Sequence, residues 1–171
     1  HLERLDGTIL GSGVPADLGA TLPGFTNTRT FRIRNTGTLP LTNLAFNITG
    51  AAATNFTLST ALTPPLPLIG LTGSATFVAT FIPTTVGIHT AALDVVSHAS
   101  NAPSASLTGQ GITPADDDDG DGLSNAAEVQ LFASGFDPVV PNPGPISTLR
   151  SNGLYRATDL RLGRRVALKF L

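Results

Sequence analysis

The sequence predicts an all-β protein, an antiparallel β-sandwich or barrel, with a short acidic appendage and a basic tail. Three observations point there. Thr, Ser, Gly, Pro and Asn fill the polar positions, and charged residues make up only 13% of the 171, about half the usual share of roughly 25%. Apolar and polar residues alternate in short runs over residues 1–113, the period of half-buried strands. Nothing between those runs is long and periodic enough for a crossover helix, so the sheets are expected to be antiparallel.

In chain order, TRTFRIRN places Phe31 and Ile33 on one face and Arg32 and Arg34 on the other. NLAFNIT repeats the pattern with Leu44, Phe46 and Ile48. SATFVATF sets Ala75, Phe77, Ala79 and Phe81 against Thr76, Val78 and Thr80. AALDVVS offers Leu93 and Val95, and SASLTG ends the zone with Ala105 and Leu107. Turn signals separate the runs: NTGTLP at 35–40, TPP at 63–65, IPTTVG at 82–87 and SNAP at 100–103. Phe25, Phe31, Phe46, Phe56, Phe77 and Phe81 all lie in this zone and are expected to fill the space between two facing sheets.

Composition narrows the function classes. Apolar residues at 41% suffice for one core, and so few charges do not suit a disordered chain. A net charge of −2 argues against nucleic-acid binding driven by overall charge. With no Trp and one Tyr, a carbohydrate-stacking platform lacks its residues. Absent cysteine excludes a disulfide framework. No apolar run reaches the ~18–20 residues of a membrane span, and no basic region followed by an apolar stretch marks a signal peptide after His1. His89, His98 and Asp94 are the first zone's acid–base candidates, and none sits in a nucleophile motif, so they read as strand and loop residues. Asn47-Ile48-Thr49 and Asn55-Phe56-Thr57 match the glycosylation sequon, which a Thr-rich sequence produces by coincidence.

Several motifs carry a resemblance as a set. They are F-x-I-x-N-T-G at 31–37, N-F-T-L at 55–58, F-x-P-x-x-x-G at 81–87 and a closing L-x-G-x-G at 107–111. With the upstream DGTILGSGVPADLGATLPG, they resemble a bacterial Ig-like module of the choice-of-anchor D type, related to the ASH and HYDIN domains. The resemblance covers residues 1–113 and implies an Ig-like antiparallel β-sandwich of 7–8 strands, serving as a spacer or interaction module rather than a catalyst.

Between Asn35 and Ala115 the only formal charge is Asp94; then five of the next six residues are aspartates. In DDDDGDGLSNAAE one register matches D-x-[DN]-x-[DN]-G-x5-E throughout. Asp117, Asp119 and Asp121 take the first, third and fifth places, Gly122 the sixth and Glu128 the twelfth. A hard cation needs anionic oxygens at alternate positions of a short loop, a glycine at the sharp turn and a closing bidentate carboxylate. Leu123 would offer its carbonyl, and Asn125 in ninth place would bind directly or through water. The predicted cofactor is therefore one Ca2+, held by Asp117, Asp119, Asp121, Leu123, Asn125 and Glu128. Asp116 and Asp118 fall outside that register. The competing reading is a solvated acidic linker.

A plain EF-hand would have a helix before the loop and a branched apolar residue in eighth place, whereas ITPA precedes it and Ser124 stands there. DDDDGDGLSNAAEVQLFASGFDP instead resembles the thrombospondin type-3-like calcium repeat of bacterial surface proteins, here in a single copy. Ser124 is expected to cap a helix running to about Ser134, with Gly135 just beyond and Leu131 and Phe132 as its buried spots. The zone 114–145 thus reads as loop, short helix and Pro-rich linker.

The zone 146–171 carries Arg150, Arg156, Arg161, Arg164, Arg165 and Lys169 against Asp159. From Tyr155 it resembles the second and third strands of a bacterial Ser/Thr protein kinase, with V-A-L-K in place of V-A-I-K, which would make Lys169 the phosphate-pairing lysine. A glycine-rich phosphate loop does not precede Tyr155, and H-R-D and D-F-G are absent from these residues. ISTLRSNGLYRATDL equally resembles the tail that follows the calcium repeat in bacterial surface proteins, and a simple basic hairpin or helix stays open.

The expectation is a non-enzymatic extracellular or cell-surface structural or adhesion module whose calcium loop orders the domain junction. Its expected partners are other domains of a larger bacterial surface protein. Two alternatives remain: the accessory N-terminal region of a truncated or chimeric kinase, and a cytoplasmic ASH-type scaffold module.

Overall fold

The computed structural model describes residues 1–11, 13–59, 73–98 and 102–142, and the backbone of Tyr155–Asp159 and Arg164–Leu168. The expected turn at 63–65, residues 100 and 101 of SNAP, and Lys169 lie outside the described residues. The chain forms two compact units, His1–Gly111 and Ile112–Leu171.

In the first unit the alternating runs become strands because each buries one face. The strands are β1 (Leu2–Arg4), β2 (Ala16–Thr21), β3 (Asn27–Arg34), β4 (Ala45–Thr49), β5 (Phe56–Leu58), β6 (Ser74–Phe81), β7 (Gly87–Val96) and β8 (Ser104–Gly111). They build two four-stranded sheets, in the orders β1-β3-β6-β5 and β2-β8-β7-β4. The two inner faces meet in one core of Leu2, Leu18, Phe31, Ile33, Phe56, Phe77, Phe81, Leu93, Val95 and Leu107. This is an immunoglobulin-like β-sandwich: the alternation predicted a sandwich or barrel, and the resemblance implied the immunoglobulin-like form.

Aromatic rings join strands within and between the sheets. The Phe31 and Phe77 centroids lie 5.9 Å apart across the β3–β6 pair, and Phe56 stacks on Phe81 at 5.0 Å. Phe46 of the opposite sheet meets Phe77 at 4.6 Å and so ties the sheets face to face. The closing L-x-G-x-G has a steric reason. A Cβ on Gly109 would stand 2.6 Å from the Phe81 ring, and one on Gly111 would stand 2.1 Å from the Thr85 carbonyl oxygen. Only glycine lets β8 approach that closely.

Phe25 departs from the expectation. It is 47% exposed, whereas Leu22 is buried. Leu22-Pro23-Gly24-Phe25 forms a turn closed by Phe25 N–H to the Leu22 carbonyl, with Gly24 at φ +81°, so the turn seats Leu22 and leaves Phe25 outside. The sheets are also not wholly antiparallel: β2 pairs parallel with β8. No crossover helix is required, because the strands between them make the return through both sheets.

Glu3 and Asn55 are among the polar residues that the strands bury with their partners. Glu3 of β1 is almost fully buried and accepts hydrogen bonds from Arg32 and from Arg34 Nη2 at 3.0 Å, while His1 Nε2 lies 2.7 Å from its other oxygen. Burial pushes its carboxyl up, yet the bonds from Arg34 and Arg32 outweigh burial and hold it below its ordinary range. Asn55 is buried as well. Its amide meets His89 Nδ1 at 3.0 Å, its Oδ1 accepts the Thr84 N–H at 3.1 Å, and His89 Nε2 reaches the Thr85 carbonyl at 2.9 Å. In that pattern Nδ1 accepts from the Asn55 amide and Nε2 donates to the Thr85 carbonyl. The Asn55 sequon is therefore an interior position, whereas Asn47 on β4 is exposed.

Candidate metal centre

The second unit opens with Ile112 buried, followed by the acidic loop and the helix α1 (Asn125–Leu131). The loop is wound by its own side chains. Asp117 Oδ1 accepts the N–H of Gly120 at 2.9 Å and of Asp121 at 3.2 Å, and its Oδ2 accepts that of Gly122 at 3.0 Å. Asp119 Oδ1 takes the Asp121 N–H at 3.1 Å, and Asp121 Oδ1 takes the Leu123 N–H at 3.0 Å. Gly122 sits at φ +94°, the left-handed turn its place in the motif requires. As a result Asp117, Asp119 and Asp121 bring one carboxylate oxygen each within 4.8 Å of one another.

Glu128 lies outside that triple but close to it, in the first turn of α1, and it is fully buried. Its Oε2 and Asp119 Oδ2 are buried with no hydrogen-bond partner. Burial first, then the negative charges of Asp119, Asp121, Asp117 and Asp137, push the Glu128 carboxyl up to about 8. Burial likewise raises Asp119, reinforced by Asp121 and Asp117.

The remaining expected ligands divide. The Leu123 main chain lies within the wound loop. Asn125 is fully buried, and its side chain is occupied: Oδ1 accepts the Asp118 N–H at 3.2 Å and the amide donates to the Thr113 carbonyl at 2.9 Å. It braces the loop's entry against α1. Ser124 makes no side-chain cap. The first helical N–H groups go instead to main-chain carbonyls, Asn125 to Asp116 at 2.7 Å and Ala126 to Pro114 at 3.1 Å. Helical structure continues as a 3-10 turn over Phe132–Ser134 and ends at Gly135 with φ +89°, the expected left-handed cap. Phe132 is 52% exposed and Leu131 only half-buried; Phe136 and Pro138 are the buried residues. The tightening to a 3-10 turn rotates Phe132 off the buried face and the glycine cap returns Phe136 to it.

Sequence reasoning missed Asn142. It is buried, its N–H donates to Asp121 Oδ2 at 3.0 Å, and its amide donates to Glu128 Oε1 at 3.2 Å and to the carbonyls of Asp137 and Val140. The only sequence signal was an Asn between two prolines in the linker.

The first unit offers a different picture. His98 Nδ1 lies 2.9 Å from the Thr42 hydroxyl and Asp94 sits in the β7–β8 ladder opposite Ser104. The histidines are thus engaged in loop-pinning bonds. Of the tail, the backbone forms an antiparallel pair, β9 (Tyr155–Asp159) with β10 (Arg164–Leu168). Among the described residues no helix is long and apolar enough to cross a membrane.

Strand order and facing inner surfaces define the first unit as a domain of the immunoglobulin-like β-sandwich class, and the second adds an acidic loop with buried, unsatisfied carboxylates. No protein-family model matches the chain, and no curated protein matches it. Solved structures do. An ASH/PapD-like domain of human CEP192 is similar at 19% identity and a TM-score of 0.39, over 57% of this chain and 82% of that one. An MSP-domain-like protein of Caenorhabditis elegans is similar at 13% identity and 0.34, over 56% and 94%. The secreted serine protease VesC from Vibrio cholerae is similar at 19% identity and 0.41, over 60% of this chain but 23% of the protease. Likeness at this level concerns the sandwich topology alone, and the assignment of the fold rests on the strand order itself.

Proposed function

We propose that the chain is a non-catalytic structural module of the extracellular space or cell surface, whose acidic loop takes one calcium ion and thereby orders the junction after the sandwich. Asp117, Asp119, Asp121 and Glu128 supply carboxylate oxygens and Leu123 its carbonyl, while Asn125 braces the loop rather than lending its occupied oxygen. The observation that carries the reading is the pair of buried, partnerless oxygens, Asp119 Oδ2 and Glu128 Oε2. Anionic oxygens taken out of water without a donor are costly to keep. A hard divalent cation among these acids offsets that cost. An all-oxygen donor set on a short loop suits calcium better than magnesium, which keeps its waters and demands near-ideal octahedral geometry.

The affinity expected of such a loop is roughly 10⁻⁴–10⁻³ M, the range of extracellular modules. Equilibrium dialysis with radioactive calcium tests the reading: about one ion bound per chain at millimolar calcium supports it, and no uptake above a Glu128→Gln, Asp119→Ala control defeats it.

A second reading attaches to the tail. The antiparallel pairing of β9 and β10 is the arrangement that the kinase resemblance implies for its second and third strands. On that reading the chain leads into a Ser/Thr kinase. Reading the gene past Leu171 for H-R-D and D-F-G decides between this and a surface-protein tail.

A further inference from the structure

The linker after the helix folds back onto the acidic loop through one residue. Asn142 is 7% exposed and makes contact with both halves of the candidate centre. Its main-chain N–H donates to Asp121 Oδ2 and its side-chain amide to Glu128 Oε1, while the same amide reaches the Asp137 and Val140 carbonyls of the intervening turn. Three acceptors surround that one nitrogen, which carries two hydrogens, so one hydrogen is shared between two of them. The turn is itself pinned, by Val139 N–H to Asp137 Oδ1 at 3.2 Å and Val140 N–H to the Asp137 carbonyl at 3.1 Å.

The division of oxygens is informative. Asn142 occupies one oxygen of Glu128, Oε1, and the other, Oε2, is the one left buried and free. On Asp121, Asn142 holds Oδ2 while the loop's own Leu123 N–H holds Oδ1. A donor fixed to one carboxylate oxygen sets the rotation of the whole group and hence where the second oxygen points.

The geometry points to Asn142 as a positioning residue that orients Glu128 and Asp121 for the cation and, in return, couples occupancy of the loop to the path of the chain from Asp137 to Asn142. This inference rests on the calcium reading above. It extends that reading from the loop to the exit linker: the ion does not merely fill the loop but fixes the turn that leads out of it. Without the ion, among the described residues nothing but Asn142 links Glu128 to Asp121 across the turn, and the turn loosens. With it, both carboxylates are held and the strap closes.

The test uses the whole 171-residue chain with calcium chloride as the probe. Calorimetry reads affinity, and amide hydrogen exchange reads Gly120–Leu123 and Val139–Asn142 separately. In the unaltered protein, saturating calcium slows exchange in both segments. In Asn142→Ala, affinity falls about tenfold or more, within the roughly 10–100-fold range for residues that orient metal ligands. Calcium then still slows Gly120–Leu123 but no longer changes Val139–Val140. A variant with affinity within twofold of the parent and a preserved response at Val139–Val140 overturns the role of Asn142 while leaving the calcium reading intact. No calcium heat in the unaltered protein overturns both. The parent alone also decides, should the variant not fold: slowing at Gly120–Leu123 without slowing at Asn142 refutes the coupling.

Discussion

Replacing Gly109 with alanine puts a methyl group where the Phe81 ring already stands. The new Cβ would lie 2.6–2.8 Å from three ring carbons, against an optimum of roughly 3.5–4.0 Å for carbon pairs. The ring has no room to yield. Phe81 is fully buried, stacked on Phe56 at 5.0 Å and 5.7 Å from His89, which is itself held by Asn55 and Thr85. Relief therefore requires the two sheets to part locally, and overpacking of this kind costs about 1–3 kcal/mol. For a domain of this size that corresponds to a fall in melting temperature of roughly 4–20 °C. Thermal unfolding by circular dichroism measures it. A second variant sharpens the attribution: adding Phe81→Leu frees space, so the double variant should lose less than the sum of the singles. A Gly109→Ala protein that melts within 1 °C of the parent, or a double variant that is strictly additive, would refute the close approach of β8 to β6.

Three further outcomes follow from buried polar groups. Asn55→Ala should destabilise the sandwich by about 2–4 kcal/mol, because it strands the Thr84 N–H and His89 Nδ1 together; urea unfolding reads the loss. Glu3, held below its ordinary range by Arg34 and Arg32, contributes stability that is present above about 4.5 and lost as pH falls through its lowered value. Acid titration of the melting temperature should show that loss, and Glu3→Gln should flatten it. Glu128 has the opposite sign. With its carboxyl raised to about 8, the calcium-free fold favours the proton, so its contribution is full below 4.5 and is lost as pH rises toward 8. Exchange protection of α1 in chelator should fall over that interval, and Glu128→Gln should abolish the fall.

The fold was legible because alternation needs only one buried face per strand, and Phe31, Phe77, Leu93 and Leu107 all followed it. Pairing across the sheet edge was not legible. The β2–β8 match is parallel and spans most of the domain, and no local pattern encodes it. Phe25 failed for a related reason, since hydrophobicity does not say which of two apolar residues in a Leu-Pro-Gly-Phe turn faces inward. At the candidate centre the spacing of Asp117, Asp119 and Asp121 located the triple, because alternate positions in a tight loop converge. Asn125 was placed by register alone, and register cannot foresee that its amide closes on Thr113 and Asp118. Asn142 left no periodic trace, since its part depends on a turn closing over the helix.

Isothermal calorimetry of the whole chain with calcium tests the central claim most directly. The account predicts one site per chain with a dissociation constant of about 10⁻⁴–10⁻³ M, lost on Asp119→Ala. No heat up to several millimolar calcium, or an isotherm that Asp119→Ala leaves unchanged, would contradict it.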